Sequence, residues 1–315
     1  MKERIIILGA NGQIGTELAI ALRNKYGAEN VITTDLNEPK NKNQNEVFYV
    51  QDILDKSSLR ALFEQYKPTQ VYALAAMLSA TAEKYPKKAW DLNMEGLFNV
   101  LDLAVEFGVS RVFWPSSIAA FGPNSSKVNC PQYGVMDPNT IYGISKQAGE
   151  RYCEYYYNKH NLDVRSIRYP GIISWKTVPG GGTTDYAVEI YFEALKSKSY
   201  ASFLNENSAL PMMYMPDAVR ATIELMEAPK ENISIRSSYN LAAMTFTPEE
   251  VAESIKKQIP DFELSYAVDD VKQRIADSWP QSIDDSFARN DWGWKPEFDL
   301  DSMTKDMLEN IAKLL

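Results

Sequence analysis

The sequence is poor in the side chains that bind transition metals and form disulfides. Its 315 residues include two cysteines, Cys130 and Cys153, and one histidine, His160. They form no Cys-x-x-Cys pair and no His/Cys cluster, so we expect no metal site and a chemistry that works without zinc. Because so few cysteines cannot form a disulfide framework, we also expect a reducing, cytoplasmic setting.

Long hydrophobic runs and clusters of positive charge are also missing. No apolar run approaches the roughly 20 residues that a membrane-spanning helix needs. Met1-Lys2-Glu3-Arg4 leads at once into the apolar run Ile5-Ile6-Ile7-Leu8, so we expect no signal or transit peptide before it. The 33 basic and 42 acidic residues give a formal charge of -9, with no basic stripe for nucleic acid. We therefore expect neither a membrane nor a nucleic acid as a partner.

The first half of the chain alternates short β-branched runs with helical patterns, which is typical of a parallel sheet covered by helices on both faces. We predict strands at 4–8, 31–34, 47–50, 70–74, 111–115 and 164–168. We predict helices at 13–25, 57–66, 87–107 and 141–159; Trp90, Leu97, Leu101 and Ala104 define an apolar face of the third. The pattern indicates an α/β doubly wound parallel sheet, a Rossmann domain, over residues 1–170.

Residues 171–315 follow a looser pattern. Gly/Pro-rich segments at 170–171 and 179–182 are followed by helices that we predict near 185–197, 216–228, 247–258 and 301–314. We expect this part to be a smaller, mainly substrate-binding C-terminal domain. A short strand near 237–242 is expected to return to the main sheet.

A glycine-rich loop follows the first strand and opens the first helix. The run Gly9-Ala10-Asn11-Gly12-Gln13-Ile14-Gly15 provides a tight turn, close approach to a pyrophosphate, and close packing of helix against strand. Asp35 ends the second strand 20 residues after Gly15, where a carboxylate bonds the adenosine ribose and repels a 2′-phosphate, so NAD is favoured over NADP. The predicted cofactor contacts in this part of the chain are Gly9, Asn11, Gly12, Gln13, Ile14, Gly15, Asp35, Leu36, Asp52, Ile53, Leu74, Ala75 and Ala76. Without the other motifs, the last five of these residues would be explained equally well as an acidic residue in a loop and the ends of core strands.

A tyrosine and a lysine stand one helical turn apart in Tyr142-Gly143-Ile144-Ser145-Lys146. An ammonium beside a phenol favours the phenolate, which an alcohol-oxidising enzyme needs as its general base. The same spacing recurs at Tyr155 and Lys159, nearly four turns further on in an aromatic-rich run. Position favours the first pair, because Tyr142 begins its helix and follows the strand that ends in Ser116-Ser117.

The order of these motifs resembles the extended short-chain dehydrogenases/reductases from end to end. The resemblance rests on the glycine loop, Asp35, Leu74-Ala75-Ala76, Asn93, Ser116-Ser117, Tyr142-x-x-x-Lys146 and Arg168-Tyr169-Pro170-Gly171. It implies that Tyr142 is the general base, that Lys146 keeps it ionised and bonds the nicotinamide ribose, and that Ser117 hydrogen-bonds the reacting oxygen. It also implies that Asn93, Tyr169 and Ile172 belong to the cofactor site, with Asn93 bonding backbone inside the fold.

Four local strings, at 114–123, 169–174, 179–187 and 278–284, resemble one branch of that family, the short-chain L-threonine 3-dehydrogenases. The resemblance implies oxidation of the C3 hydroxyl of L-threonine to 2-amino-3-oxobutyrate with reduction of NAD. A zwitterionic substrate needs polar partners, and the 180–186 segment offers two threonine hydroxyls and a carboxylate. The substrate-binding candidates are Ser79, Ser116, Ser117, Tyr142, Gly180, Thr183, Thr184 and Asp185. A helix N-cap is the alternative role for Thr184 or Asp185.

Two other functions stay open at this stage. The first is a nucleotide-sugar epimerase or dehydratase of the same fold, although a dehydratase would need an acid pair where this chain has Ile118-Ala119. The second is a nucleotide-sensing module without catalysis, which would not need Ser117, Tyr142 and Lys146 together. We further predict a homodimer built from the helices at 87–107 and 141–159, because both carry more apolar surface than one sheet face needs.

Overall fold

The computed structural model describes residues 3–39, 46–176 and 182–315. Its strands are β1 Ile5–Leu8, β2 Val31–Asp35, β3 Val47–Val50, β4 Gln70–Ala73, β5 Arg111–Ser117, β6 Asp163–Tyr169, β7 Gly171–Ile173, β8 Ser199–Ser202, β9 Leu210–Tyr214, β10 Tyr239–Asn240, β11 Met244–Phe246 and β12 Glu263–Tyr266. Its α-helices are α1 Gln13–Tyr26, α2 Lys56–Tyr66, α3 Ser79–Lys84, α4 Pro86–Trp90, α5 Gly96–Glu106, α6 Ile141–His160, α7 Tyr186–Lys196, α8 Met215–Glu227, α9 Pro248–Lys256, α10 Asp270–Ser278, α11 Ser286–Trp292 and α12 Leu300–Ala312.

The described chain forms two compact units. Unit 1 comprises residues 1–120, 140–168 and 219–239, and unit 2 comprises residues 121–139, 169–218 and 240–315. Both units are therefore assembled from non-contiguous segments. The sequence-based division at residue 170 stays a prediction.

A seven-stranded sheet forms the centre of the fold, in the order β10-β6-β5-β4-β1-β2-β3. The pairings of β2 with β3, β1 with β2, β1 with β4 and β4 with β5 are all parallel. Strand β1 is buried along its whole length, as expected for an apolar strand covered on both faces. The sequence prediction of a doubly wound α/β fold is confirmed. The order reverses direction at β1 and β4, which is where such sheets bind their ligands.

The core of unit 1 lies between this sheet and its helices. Leu59 and Phe63 of α2, with Leu97 and Leu101 of α5, are buried in one apolar cluster with the sheet. These residues recur three or four positions apart, so each helix turns one apolar face inward. Asp55 caps α2 by accepting hydrogen bonds from the amides of Ser57 and Ser58.

A π-helical turn, Asp91–Glu95, joins α4 to α5 without ending the helix. A π turn takes up one residue more than an α turn, which rotates the helix faces on its two sides by roughly 100° relative to each other. Trp90, before the turn, is 38% exposed, whereas Leu97 and Leu101 are buried. The predicted apolar face was therefore wrong at Trp90, because constant α-helical spacing does not hold through this turn.

Unit 2 contains two small sheets. In the first, ordered β11-β9-β7, β9 pairs antiparallel with β11 and parallel with β7. In the second, β12 pairs parallel with β8. The fully buried Trp294 donates its indole N–H to the carbonyl of Ala242, and Asp217 accepts from the amides of Glu297 and Phe298. These bonds attach the C-terminal segment to the rest of the unit.

Candidate active site

The glycine loop of unit 1 has no room for side chains at two positions. Gly9 has φ +87°, and a Cβ there would lie 2.6 Å from the amide nitrogen of Ala75. A Cβ on Gly15 would lie 2.4 Å from the carbonyl oxygen of Gly9. Only glycine allows α1 and the β4 loop to approach β1 this closely. The sequence analysis expected a tight turn and close packing of helix against strand here, and the two glycines provide them.

The N-terminus of α1 is open to an anion. Gly12 is the N-cap residue, it has no side chain to cap the helix, and the first turn holds no acidic residue. The positive end of the helix dipole and its first amides are therefore not neutralised by a carboxylate of that turn. A phosphate group fits such a helix start.

A cleft of about 310 Å³ opens at the carboxyl ends of β1, β2 and β4. Ten predicted cofactor residues line it: Gly9, Asn11, Gly12, Asp35, Leu36, Asp52, Ile53, Leu74, Ala75 and Ala76. The Asp35 carboxylate accepts hydrogen bonds from the amides of Asn11, at 2.9 Å, and Leu36, at 2.8 Å. These bonds hold it at the edge of the cleft, where a ribose hydroxyl can be recognised. Glycine cradle, open helix end and acidic edge together fit NAD.

The predicted general base stands in the first turn of α6. Thr140 accepts a hydrogen bond from the amide of Gly143, and Glu83 accepts one from the amide of Ile141, so two side chains hold this end of the helix. The hydroxyl of Ser117 lies near the phenol of Tyr142. Burial raises the pKa of Tyr142 to about 12, and the Ser117 hydroxyl acts in the opposite direction because it can donate to the phenolate. The structure thus brings Ser117 and Tyr142 together.

Lys146 completes the predicted trio one turn further along α6. It is 2% exposed, and its ammonium donates a hydrogen bond of 2.6 Å to the carbonyl of Pro115. The ammonium also lies 4.5 Å from the centre of the Trp114 ring and 5.5 Å from that of Tyr142. Burial lowers the pKa of Lys146 to about 7, and the nearby carboxylate of Glu150 acts in the opposite direction. The indole face and the carbonyl both favour the charged form.

The indole of Trp114 is itself fixed by α6. A Cβ on Gly149 would lie 2.4 Å from the Cη2 atom of Trp114. The helix therefore presents a glycine where the large ring must fit, and the ring stays beside Lys146. By contrast, Tyr155 of the second Tyr-x-x-x-Lys spacing is 49% exposed and contacts the rings of Tyr156 and His160.

A buried ionic cluster lies behind the trio and was missed from the sequence. Glu150 is fully buried and receives two hydrogen bonds from Arg168, at 2.8 and 2.7 Å. The hydroxyl of Ser116 donates a third, at 2.6 Å. The available signal was an acid one turn after Lys146, together with an arginine in the strand predicted at 164–168. Ser116 was predicted to bind substrate, and the structure directs its hydroxyl to Glu150.

Asn93 lies in the π-helical turn and connects two parts of unit 1. Its side chain bonds the amide and the carbonyl of Met77, at 2.8 and 3.2 Å, and donates to the Ser145 hydroxyl at 3.1 Å. Ser145 in turn donates to the carbonyl of Tyr142 at 2.7 Å. Asn93 therefore bonds backbone, as the resemblance implied, and holds the loop after β4 against the first turn of α6.

The remaining predicted residues lie in several places. Gln13, Ile14 and Gly15 are in α1, and Tyr169 and Ile172 are in unit 2, in β6 and β7 respectively. Ser79 begins α3 and is half-buried. Thr183 is buried, Thr184 is half-buried, and Gly180 lies outside the described residues. Asp185 occupies the N-cap position of α7, yet its side chain makes no capping bond and instead accepts from the amide of Gly182 at 2.6 Å.

Two negative findings apply to residues 3–39, 46–176 and 182–315. They contain no group of three or more His, Cys, Asp or Glu side chains arranged to hold a metal ion. None of the helices described there is long and apolar enough to cross a bilayer.

Comparison with known proteins agrees with this geometry. The model of the NAD dependent epimerase/dehydratase family matches residues 5–242. An uncharacterized epimerase/dehydratase from Staphylococcus saprophyticus is 50% identical, over 98% of this chain and 97% of that protein. The solved GalE-like L-threonine dehydrogenase from Cupriavidus necator, in its holo form, is 55% identical with a TM-score of 0.95, covering 98% of this chain and 99% of that one.

A further solved structure bears on assembly. A monomeric L-threonine 3-dehydrogenase from a metagenome is 48% identical with a TM-score of 0.94, covering 98% of this chain and 99% of that one. The homodimer therefore stays a prediction for this chain. The sequence-based assignment to the extended short-chain dehydrogenases/reductases and to NAD is confirmed by the family match. This chain is an NAD-dependent enzyme with a Rossmann fold and belongs to the NAD dependent epimerase/dehydratase family.

Proposed function

We propose that this enzyme oxidises the C3 hydroxyl of L-threonine to 2-amino-3-oxobutyrate, with NAD as the oxidant. The observation that carries the proposal is the grouping of the Ser117 hydroxyl, the phenol of Tyr142 and the buried ammonium of Lys146. The L-threonine dehydrogenases described above resemble this chain over almost its whole length, which supports the choice of substrate.

The chemistry divides between the protein and its cofactor. NAD, when bound, supplies the acceptor for the hydride that leaves C3 of threonine. Tyr142, as phenolate, takes the proton of the C3 hydroxyl, so that the alcohol loses one hydride and one proton and becomes a ketone. Ser117 hydrogen-bonds the reacting oxygen and keeps it within reach of Tyr142. The proton then passes from Tyr142 to solvent.

Lys146 has to be charged for this step. Burial raises the pKa of Tyr142 to about 12, so a neighbouring positive charge is needed to favour the phenolate near neutral pH. The ammonium of Lys146 is the nearest described candidate, at 5.5 Å from the ring centre. The Pro115 carbonyl and the Trp114 ring stabilise that charge where water is excluded.

Thr183, Thr184 and Asp185 are the residues that we propose for the polar end of threonine. The first two offer hydroxyl groups, and Asp185 offers a carboxylate for the substrate ammonium. The bond from the Gly182 amide fixes the orientation of the Asp185 carboxylate without capping α7. The alternative role of a side-chain N-cap is therefore not what the geometry of Asp185 supports.

The geometry gives no support to a dehydratase. Ile118 and Ala119 occupy the positions where that activity would need an acid pair, and both are buried apolar residues. A sensing module without catalysis would not need a serine, a tyrosine and a buried lysine brought together, because burying an ammonium opposes folding.

The direct test is to incubate the pure enzyme with NAD and either L-threonine, other amino acids or nucleotide sugars, and to record NADH absorbance. Chromatography of the products accompanies it, because an epimerase produces no net NADH. We expect NADH with L-threonine and 2-amino-3-oxobutyrate as the product. Turnover of a nucleotide sugar without any reaction of threonine would contradict the proposal.

Two variants test the substrate contacts. Thr184→Ala and Asp185→Ala are each expected to raise the KM for threonine about tenfold or more, because each leaves a polar group of the substrate unpaired. NAD affinity, measured by fluorescence, should be unchanged. Thr245→Ala, at an exposed position of β11, is the matched control and should keep the parent KM. Unchanged threonine kinetics in both variants would remove these residues from the substrate site.

A further inference from the structure

Lys146 occupies an unfavourable environment that the proposed mechanism alone does not explain. Its ammonium is buried and makes one hydrogen bond to a carbonyl, and burial favours the neutral amine. A neutral amine would not stabilise the phenolate of Tyr142. Some feature of unit 1 therefore has to keep this lysine protonated near neutral pH.

Within residues 3–39, 46–176 and 182–315, few groups can influence Lys146. On α6, Tyr142 and Cys153 are neutral in the folded state, since burial raises the pKa of both. From β5, the Trp114 ring and the Pro115 carbonyl face the ammonium. The remaining member is Glu150, one turn along α6, whose negative charge acts on Lys146 to favour the protonated form.

We propose that Glu150 is a positioning residue for alcohol oxidation, which together with Arg168 and Ser116 keeps the ammonium of Lys146 charged within the buried site. The inference rests on the proposed function insofar as Tyr142 is the base. Glu150 and Arg168 form a buried ion pair, and Lys146 and Tyr142 stand one and two turns before Glu150 on the same helix.

Two neighbours fix the carboxylate of Glu150 in place. Arg168 makes a two-pronged bond that fixes the carboxylate, and Ser116 orients it from the residue beside Ser117. One oxygen of Glu150 accepts from both Arg168 and Ser116, while the other accepts from Arg168. The same carboxylate therefore anchors β5 at the serine pair and β6 at Arg168 while it acts on Lys146.

The first experiment needs neither substrate nor cofactor. The melting temperature of a Lys146→Met variant is compared with that of its Lys146 parent between pH 5 and pH 9. The difference in melting temperature between the two proteins should grow as the pH falls. It should reach a plateau near pH 7, where Lys146 in the folded protein takes up its proton. In a Glu150→Gln background, this difference in melting temperature should continue to grow below pH 7. It should level off at a pH that is lower by about half a unit or more than in the parent background. Glu154→Gln, one turn further along α6 and bonded to Arg151 at the surface, is the matched control and should leave the plateau at the parent pH.

A plateau at the same pH in the Glu150→Gln background would overturn the proposal. Should that protein not fold, Ser116→Ala provides the second test, because it keeps every charge and removes one donor from Glu150. The less neutralised carboxylate should move the plateau to higher pH, and a plateau that stays in place or moves down would refute the inference.

The second experiment measures activity. Glu150→Gln should move the high-pH limb of the pH profile of threonine oxidation to lower pH, since loss of the negative charge makes Lys146 easier to deprotonate and the mechanism needs its charged form. A purely structural role would lower turnover at every pH without moving the profile, and that result would also refute the inference. If the parent oxidises no threonine at all, the proposed function fails, while the melting experiment still decides the role of Glu150.

Discussion

Lys146→Met should stabilise the folded protein by an amount that depends on pH. Burial lowers the pKa of Lys146 from 10.5 to about 7, so between these values the unfolded chain holds a proton that the folded chain lacks. Stability is therefore lost as the pH falls from 10.5 towards 7, and the loss is constant below 7. A methionine at this position carries no charge, so the variant does not lose this part of its free energy of unfolding.

The size of the effect follows from the two pKa values. At 1.36 kcal/mol per pKa unit, burial of the lysine opposes folding by about 2 kcal/mol at pH 9 and by about 4 kcal/mol at pH 7. Methionine also loses the bond to the Pro115 carbonyl, which costs about 1 kcal/mol at either pH. That loss cancels when the two pH values are compared. The advantage of the variant should hence grow by about 2 kcal/mol between pH 9 and pH 7.

Thermal denaturation followed by circular dichroism measures this difference. For a chain of this length, about 2 kcal/mol corresponds to a gap in melting temperature that is about 3–5 °C larger at pH 7 than at pH 9. Lys159→Met, at an exposed position of the same helix, should show the same gap at both pH values. A gap for Lys146→Met that does not change with pH would refute the argument that the buried ammonium loses its proton near pH 7.

Four further outcomes are expected. Tyr142→Phe should lower turnover about a hundredfold or more with NAD binding kept, while Tyr155→Phe has little effect; the readouts are steady-state kinetics and cofactor titration. The parent should prefer NAD over NADP at least about tenfold, and Asp35→Ala should narrow that ratio, because the carboxylate that repels a 2′-phosphate is gone. Treatment with a chelator should leave activity intact, and zinc-dependent recovery of a lost activity would contradict this. Light scattering at micromolar concentration should show a dimer, which we expect to form through 87–107 and 141–159, where Trp90 and Tyr152 are exposed.

The sequence predicted the Rossmann unit well because its signals are local. The glycine loop, the apolar strands and the helices at 13–25 and 141–159 depend on neighbours in the chain, and the structure has them within one or two residues. Unit 2 was harder to predict. Its strands β7, β9 and β11 pair with one another across long stretches of sequence, and a strand of three residues has too few positions for an alternating pattern.

The sequence likewise predicted one part of the candidate site and missed another. Ser117, Tyr142 and Lys146 form a pattern that the sequence reveals, and the structure brings their side chains together. Glu150 and Arg168 meet because α6 packs against the sheet, and no local pattern distinguishes such a pair from surface charges. The prediction at Trp90 was wrong for another reason. It assumed a constant helical period, and a π turn cannot be recognised from the spacing of apolar residues under that assumption.

Gly149 places a limit on how this enzyme can be engineered for thermostability. A glycine inside a helix is an obvious target, since alanine is the better helix former by about 1 kcal/mol. Here the added methyl group would collide with Trp114 and push the indole away from the ammonium of Lys146. Overpacking of this kind opposes folding by about 1–3 kcal/mol, so alanine should fail to stabilise the protein and should lower turnover as well. Residue 149 is thus a place where helix propensity and catalysis impose opposite demands on one side chain.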